Sequence, residues 1–485
     1  MRPITAAAGE PVDIGSRLEL LVDDHLIQTM QGATLRMHHP VPREVCLVFD
    51  RPWEGNACHY VTTFHDGELV RMYYGAWNLD TTGGTLVACG EQICYAESED
   101  GITWRRPELA IYDAQGASIN NVVWEGTAAH GFAPFRDPNP ACPPEERYKA
   151  VGQGSYQETS HLWALISPDG LHWSMMGDRP ILGGCPFDSQ NLVFYDMVRG
   201  EYRAYVRFFR DGRMRDILTT TSPDFRTWAE YQPLRYPGAP DEQLYTNQIQ
   251  PYFRAPHIFI GFPTRYVERS WSPSMRALPD PENREQRSRP HVRYGTAITD
   301  ALLMTSRDGV TFHRWPEAFI PPGPQRQGSW AYGDTYLQCG LVQTPSGMGD
   351  AAPELSLYGG EGYWTDGPSR LRRYTTRIDG FASAHAPIAG GEFVTRPLVF
   401  AGHRLVLNFA TSAAGTIRVE MLDVEGRPVE GFALGDCDDV YGDEIERTVS
   451  WAARTAVHEL AGRPVRLRFT LHDADLFSFR FVGQP

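Results

Sequence analysis

The sequence predicts an all-β protein, a five-bladed β-propeller followed by a C-terminal β-sandwich. Three observations carry that expectation. A short motif, S-x-D-G-x-x-aromatic, recurs through most of the chain. Paired strand-like runs precede each copy. The C-terminal part lacks the motif and alternates apolar with polar residues instead.

The motif reads Ser98-Glu99-Asp100-Gly101-Ile102-Thr103-Trp104 in its first copy and Ser167-Pro168-Asp169-Gly170-Leu171-His172-Trp173 in its second. The third, Ser222-Pro223-Asp224-Phe225-Arg226-Thr227-Trp228, has Phe in place of Gly. The fourth, Ser306-Arg307-Asp308-Gly309-Val310-Thr311-Phe312, ends on Phe, and Arg377-Ile378-Asp379-Gly380-Phe381 is a degenerate fifth. Asp-Gly is a turn signal, because glycine accepts positive φ and the aspartate bonds nearby backbone amides. The run before it is strand-like, as in Leu162-Trp163-Ala164-Leu165-Ile166, and the aromatic after it opens the next strand. Each copy therefore reads as the outer hairpin of a four-stranded blade.

An inner hairpin precedes each outer one. In the first repeat it runs from Tyr60 to Phe64, turns at His65-Asp66-Gly67 and returns from Leu69 to Tyr74. In the third it is Asn191 to Tyr195, then Tyr202 to Arg207. Residues 1–384 are expected to form the propeller, with the N-terminal strand closing the last blade, and residues 385–485 the sandwich. The sandwich rests on alternating runs such as Leu405 to Phe409, Ile417 to Met421 and Val465 to Phe469. The polar, Pro- and Arg-rich stretch Ser272 to Pro290 reads as a long loop within the fourth blade.

Composition narrows the partners. A formal net charge of −15 argues against nucleic acid and against anionic membranes. No apolar run is long enough for a transmembrane helix. The stretch Met1 to Gly15 has no apolar signal region, which gives the expectation of a cytoplasmic protein. The eight cysteines form no C-x-x-C, so no metal site is expected from them, and they read as free thiols. The acidic run Asp436 to Glu444 could hold calcium but lacks EF-hand spacing and reads as a solvated loop. No cofactor is expected, since nucleophile-elbow, P-loop, zinc-protease and dinucleotide signatures are all missing. Nothing in the sequence speaks to oligomeric state.

Chemistry is expected where the inner strands of the blades begin, facing a central funnel. The candidates there are His59, Asp188, Gln190, Asn191, Glu242, Asn247 and Asp334, with Asn120, Asn121, His130 and Tyr245 nearby in the pattern. The second strand of each blade returns to the same face, which adds Trp77, Arg207, Arg265 and Glu361. Asp24, after the apolar run Leu20-Leu21-Val22, joins them if the N-terminal strand closes the ring. Carboxylates and amides grip sugar hydroxyls, and an indole face stacks on a sugar ring. Each has a plainer alternative: Asp188 can pair with Arg207, His59 can be a core histidine, and Glu242 can be solvated in its Pro-Asp-Glu-Gln loop.

The pattern resembles the five-bladed-propeller glycoside hydrolases, above all bacterial proteins described as similar to glycoside hydrolase family 32 and, more distantly, family 43. The resemblance rests on Leu21-Val22-Asp23-Asp24-His25-Leu26-Ile27, Phe187-Asp188-Ser189-Gln190-Asn191, Glu354-Leu355-Ser356-Leu357-Tyr358 and Asp473-Ala474-Asp475-Leu476-Phe477-Ser478-Phe479. The W-x-N-D-P-x-G and E-C motifs of family 32 itself are absent, and Asp137 of Phe135-Arg136-Asp137-Pro138 aligns with turn residues rather than with that family's R-D-P. The resemblance implies a glycosidase acting on an oligosaccharide or glycoside with a carboxylate pair drawn from Asp188, Glu361, Asp24 and Asp334. Gln190, Asn191, Asn247, Arg207, Arg265, His59, Trp77 and Glu242 would position the sugar, and the arginines leave room for an acidic one. A non-catalytic carbohydrate-binding protein and a lyase on the same funnel are the alternatives.

Overall fold

A computed structural model describes residues 4–5, 10–114 and 116–483, and the chain is almost entirely β. Five four-stranded antiparallel sheets follow one another along the sequence. The first comprises His59–Asp66, Leu69–Asp80, Val87–Ser98 and Val122–Glu125. The second comprises His130–Arg136, Tyr148–Tyr156, Thr159–Ser167 and Ser174–Met175. The third comprises Leu192–Asp196, Glu201–Arg210, Met214–Ser222 and Gln232–Pro233. The fourth comprises Gln250–Tyr252, Ala255–Gly261, Met304–Ser306 and Phe312–Arg314. The fifth takes three strands from one region, Val342–Thr344, Glu354–Glu361 and Arg370–Arg377, and its last from far upstream, Val41–Val48.

The repeated motif is the turn after the third strand of a sheet, and one geometry recurs. Asp100 Oδ1 accepts from the amides of Ile102 (2.8 Å) and Thr103 (2.7 Å), while Ser98 Oγ accepts from Gly101 N at 2.9 Å. Asp169, Asp224 and Asp308 make the same two backbone contacts. These bonds hold each aspartate ionised, with pKa values below the ordinary range against the opposing effect of burial at Asp100, Asp169 and Asp308.

Tyrosines tie each sheet to the next. Tyr73 of the first sheet donates to Gly170 O of the second at 2.9 Å. Tyr202 of the third donates to Asp137 of the second at 2.7 Å, where Asp137 also holds the buried Lys149. Tyr205 of the third reaches Gly309 O of the fourth at 2.9 Å, and Tyr358 of the fifth reaches Gly101 O of the first at 2.6 Å. The degenerate fifth copy uses its side chain instead: Asp379 accepts from Tyr252 of the fourth sheet at 2.6 Å. Where the third copy has Phe225 for glycine, no tyrosine reaches the turn, and the buried ring packs on Phe135 and Tyr202.

Of the N-terminal strands, Val41–Val48 joins the fifth sheet, whereas Glu19–Leu20, Ile27–Gln31 and Thr34–Met37 pair with C-terminal strands in a nine-stranded sheet. Leu21, Leu26, Ile27 and Met30 are buried there with Phe393, Phe409, Trp451 and Phe469, so the boundary expected near residue 384 does not separate the sheets. The spine of that sheet is Arg466–Val482, paired along one edge with Arg404–Leu422, which is kinked by bulges.

The stretch expected as a loop from Ser272 to Pro290 instead carries two short helices, α1 (Pro273–Arg276) and α2 (Pro281–Ser288), and a third, α3 (Val292–Thr296), follows directly. Prolines at the first helical positions start α1 and α2, and Ser272 Oγ caps α1 by accepting from Met275 N. Arg284 and Arg287 of α2 are buried, and Arg287 donates to the carbonyls of Tyr332 (3.0 Å), Trp364 (3.4 Å) and Tyr363 (3.5 Å). The insertion thereby fixes two loops that wall the cavity described below.

Asp379 is the most connected of these junction residues. It is fully buried and accepts from Tyr252, Arg254, Asn408 and Ser478, which joins the fourth and fifth sheets to the nine-stranded sheet. Asp379→Ala is expected to lower unfolding free energy by about 2–4 kcal/mol, allowing for the partial exposure of Arg254. Tyr73→Phe, which removes one bond, is expected to cost about 1 kcal/mol. Urea unfolding followed by tryptophan fluorescence checks the ranking, and a larger loss for Tyr73→Phe would contradict it.

Candidate functional site

Residues from the first three sheets and from the segments around the helical insertion line a cavity of about 230 Å³ with aromatic walls. Tyr60 and Trp77 come from the first sheet, Tyr245 from the segment leading into the fourth, and Tyr294 from α3. Tyr332, Tyr363 and Trp364 come from the loops braced by Arg287. The polar lining is Glu91, His130, Asp188, Arg207, Arg215 and Arg293.

Asp188 sits in the segment Phe187 to Asn191, just before the first strand of the third sheet. Asn191 holds this segment shut: its Nδ2 donates to Phe187 O and Ser189 O, both at 2.9 Å, and its Oδ1 accepts from Arg207 N at 3.0 Å. Ser189 Oγ donates to Tyr245 O at 3.0 Å. Gly131 packs against the same segment with φ +66°, and a Cβ there would lie 2.5 Å from Ser189 O, so only glycine fits. The result is a rigid backbone presenting one carboxylate, 62% exposed, into a space whose surroundings are buried.

Three charges meet at that carboxylate. Arg207 is buried and donates to the Asp188 backbone carbonyl, and it lies 3.3 Å from Asp188 Oδ2. His130 Nε2 lies 3.2 Å from Asp188 Oδ1, and His130 Nδ1 lies 2.7 Å from Glu91 Oε1. Burial works against the charge on Asp188, but the His130 hydrogen bond and the charges of His130 and Arg207 outweigh it and hold its pKa below the ordinary carboxylate value. Burial likewise works against the His130 charge, yet its two carboxylate partners push its pKa up to about 10. The imidazole is therefore doubly protonated and donates from both nitrogens. Arg207 also lies over the rings of Phe209 (4.7 Å) and Tyr245 (5.3 Å), which keeps its fork in place.

Of the residues expected from sequence, Asp188, Arg207, Trp77, His130 and Tyr245 line this cavity. The others lie elsewhere for identifiable reasons. His59 is buried beneath it against Tyr60, Tyr336 and Tyr363, and desolvation lowers its pKa to about 3. Gln190 bridges strands, donating to Tyr60 O and Thr62 Oγ1 and accepting from Gln248. Asn191 is occupied as described, and Asn247 donates to Gln190 O and Tyr205 O. Their amides satisfy buried backbone groups and are not free to hold a ligand.

Glu361 is buried between Arg326 and Arg372, the latter at 2.6 Å. Asp334 is buried nearby, accepts from Trp330 N at 2.9 Å, and is pushed up to about 7 by burial. Neither lines the cavity. Glu242 and Arg265 form an ion network with Asp300 and Arg314. Asp24 opens onto a separate hollow of about 850 Å³ beside Met30 and Trp315, because its segment packs with the nine-stranded sheet.

Glu91, Arg215, Arg293, Tyr60, Tyr332, Tyr363, Tyr294 and Trp364 were not singled out from the sequence. Tyr60 begins an inner strand and was legible by the rule that found His130. Glu91 lies in a polar strand with no motif around it, and Arg293 and Tyr294 lie in a short helix just past the stretch that reads as a loop. Among the described residues, no group of three or more His, Cys, Asp or Glu side chains is arranged to hold a metal ion. In the acidic run, Asp439 pairs with Arg418, Asp443 with Arg377, and Asp438 with Ser450. The eight cysteines are free thiols.

No family model matches the chain, and no curated protein matches it. Solved structures do. A complex of BT0996 with RGII is 14% identical, with a TM-score of 0.42, over 73% of this protein and 95% of that one. A glycosyl hydrolase from Bacteroides ovatus is 14% identical, with a TM-score of 0.42, over 72% and 96%. An N-acetylgalactosamine deacetylase from F. plautii, in complex with blood group B trisaccharide, is 14% identical, with a TM-score of 0.39, over 78% and 96%.

The His130 pairing makes a pH prediction. Its folded pKa of about 10 lies above the ordinary 6.5, so the stability it contributes is complete below that ordinary value and is lost as pH rises through about 10. Nitrogen-15 NMR of the imidazole is expected to show a charged ring at pH 8, and Glu91→Gln is expected to lower its titration midpoint. A midpoint near 6.5 in the unsubstituted protein would contradict the assigned pairing.

Proposed function

We propose that the protein is a glycoside hydrolase, that its five sheets are the blades of a propeller followed by a β-sandwich, and that its substrate binds in the tyrosine-walled cavity. The junction bonds support the propeller: they run from the first sheet to the fifth and return, through Tyr358, to the first. One observation carries the function. A single open carboxylate, Asp188, is held ionised by His130 and Arg207 at the centre of a cavity with aromatic faces.

That arrangement suits a sugar. Trp77 and Trp364 offer faces for the apolar side of a pyranose or furanose ring, and the charged groups offer hydrogen bonds to its hydroxyls. At about 230 Å³ the cavity is smaller than drug-sized sites, which suits one sugar unit at the end of a chain. Asp188, ionised at neutral pH, serves as nucleophile or as the base that activates water. The other cavity carboxylate is Glu91, which takes the second role in place of Glu361, Asp334 and Asp24, since these lie outside the cavity. His130 positions both.

A second reading, sugar binding with no bond cleaved, is favoured by the protonation states. His130 keeps its proton to about pH 10 and Asp188 stays ionised, so neither is poised to donate a proton near neutrality. Asp188→Asn separates the readings. On a panel of aryl glycosides and oligosaccharides that includes furanosides and uronides, the hydrolase reading expects turnover by the unsubstituted protein and a loss of at least about a hundredfold in the variant, with sugar binding kept. Equal turnover by both would remove Asp188 from the chemistry. Binding without turnover in either would favour the second reading.

A further inference from the structure

The charges around the cavity do not balance. Two carboxylates line it, Glu91 and Asp188, and both are taken up by His130 and Arg207. That leaves Arg215 and Arg293. Arg215 is buried, donates to Gln243 Oε1 at 2.7 Å, and has only the half-exposed Glu268 as a charge partner, at 3.3 Å. Its Nε has no hydrogen-bond partner. Arg293 lies over the Tyr294 ring at 4.5 Å and has, among the described residues, no carboxylate within 4 Å. The two cations converge on the buried Tyr266: Arg215 lies over its ring at 4.2 Å, and the charges of both arginines act on its hydroxyl.

Arg215, buried with only a half-exposed carboxylate beside it, and Arg293, partly buried with none, leave the cavity lining with positive charge that an anionic ligand would neutralise. Surface charge of the opposite sign does not supply that neutralisation inside a walled cavity. A planar carboxylate does, because a guanidinium meets it with two parallel N–H donors. Resting on the sugar-site reading above, we infer that the ligand is a uronic acid unit, with its carboxylate held between Arg215 and Arg293 and its ring against the aromatic walls. The ring is then oriented by its own charge.

The test is calorimetric titration of the full chain with free glucuronate and galacturonate, with glucose and galactose, and with their 6-sulfate esters. Free monosaccharides are not cleaved, so affinity is read independently of turnover. At least tenfold tighter binding of a uronate than of its neutral counterpart is expected. Arg293→Gln is expected to remove about ten- to a hundredfold of uronate affinity, a clearly larger factor than it removes from neutral-sugar affinity. Arg215→Gln is expected to act in the same direction and keeps the test open should the first variant fail to fold. Equal affinity for neutral sugars, stronger binding of the sulfate esters, or no binding of uronates would each overturn the inference. If neutral glycosides are cleaved while uronates show no preference, the hydrolase reading stands and the uronate inference falls. If uronates are preferred and no glycoside is cleaved, the reverse holds.

Discussion

A carboxylate that faces an aromatic cavity keeps its charge only if something opposes desolvation, and here Arg207 and His130 do so. The contact of Arg207 with Asp188 is double: it touches both the backbone carbonyl and the side chain, while its own amide is held by Asn191. The guanidinium therefore fixes where Asp188 is and what charge it carries with one group. His130 extends the constraint to Glu91, so two carboxylates from different sheets are set by one imidazolium. These cations work against the desolvation that would otherwise raise the Asp188 pKa.

The fold supplies that constellation by repetition. Each sheet ends its third strand in a turn built on one aspartate, and a tyrosine from a neighbouring sheet bonds to most of these turns. Neighbouring sheets are thereby stitched together at these turns. Departures from the repeat are where specificity enters. The fourth unit is interrupted by three short helices, and these bring Arg293 and Tyr294 to the cavity and Arg287 beneath its walls. Arg287 is enclosed, its pKa lowered to about 10 by desolvation, and it stacks on Trp364 at 4.5 Å while bonding to backbone carbonyls.

Much of this was legible in the residues. The Asp-Gly motif located four of the five outer turns, and the inner-hairpin pattern located the strands from which Asp188, Arg207 and Trp77 reach the cavity. What was not legible has physical causes. Gln190, Asn191 and Asn247 occupy the right level of the fold, but amides are as useful for satisfying buried backbone as for holding a ligand, and type and position alone do not distinguish the two uses. Asp24 was misplaced because its strands pair with partners more than three hundred residues away, which no local periodicity records. Glu91 carries no motif, and its importance comes only from the imidazole opposite. The helices of the insertion are too short and too polar to show an apolar face.

The central claim is that a sugar sits in this cavity in contact with Asp188, and a crystal structure of the Asp188→Asn variant grown in a mixture of oligosaccharides tests it directly. The account predicts a sugar ring between the walls that carry Trp77 and Trp364, within hydrogen-bond reach of position 188. Sugar bound instead in the hollow beside Asp24 and Trp315, with the tyrosine-walled cavity left to solvent, would contradict it.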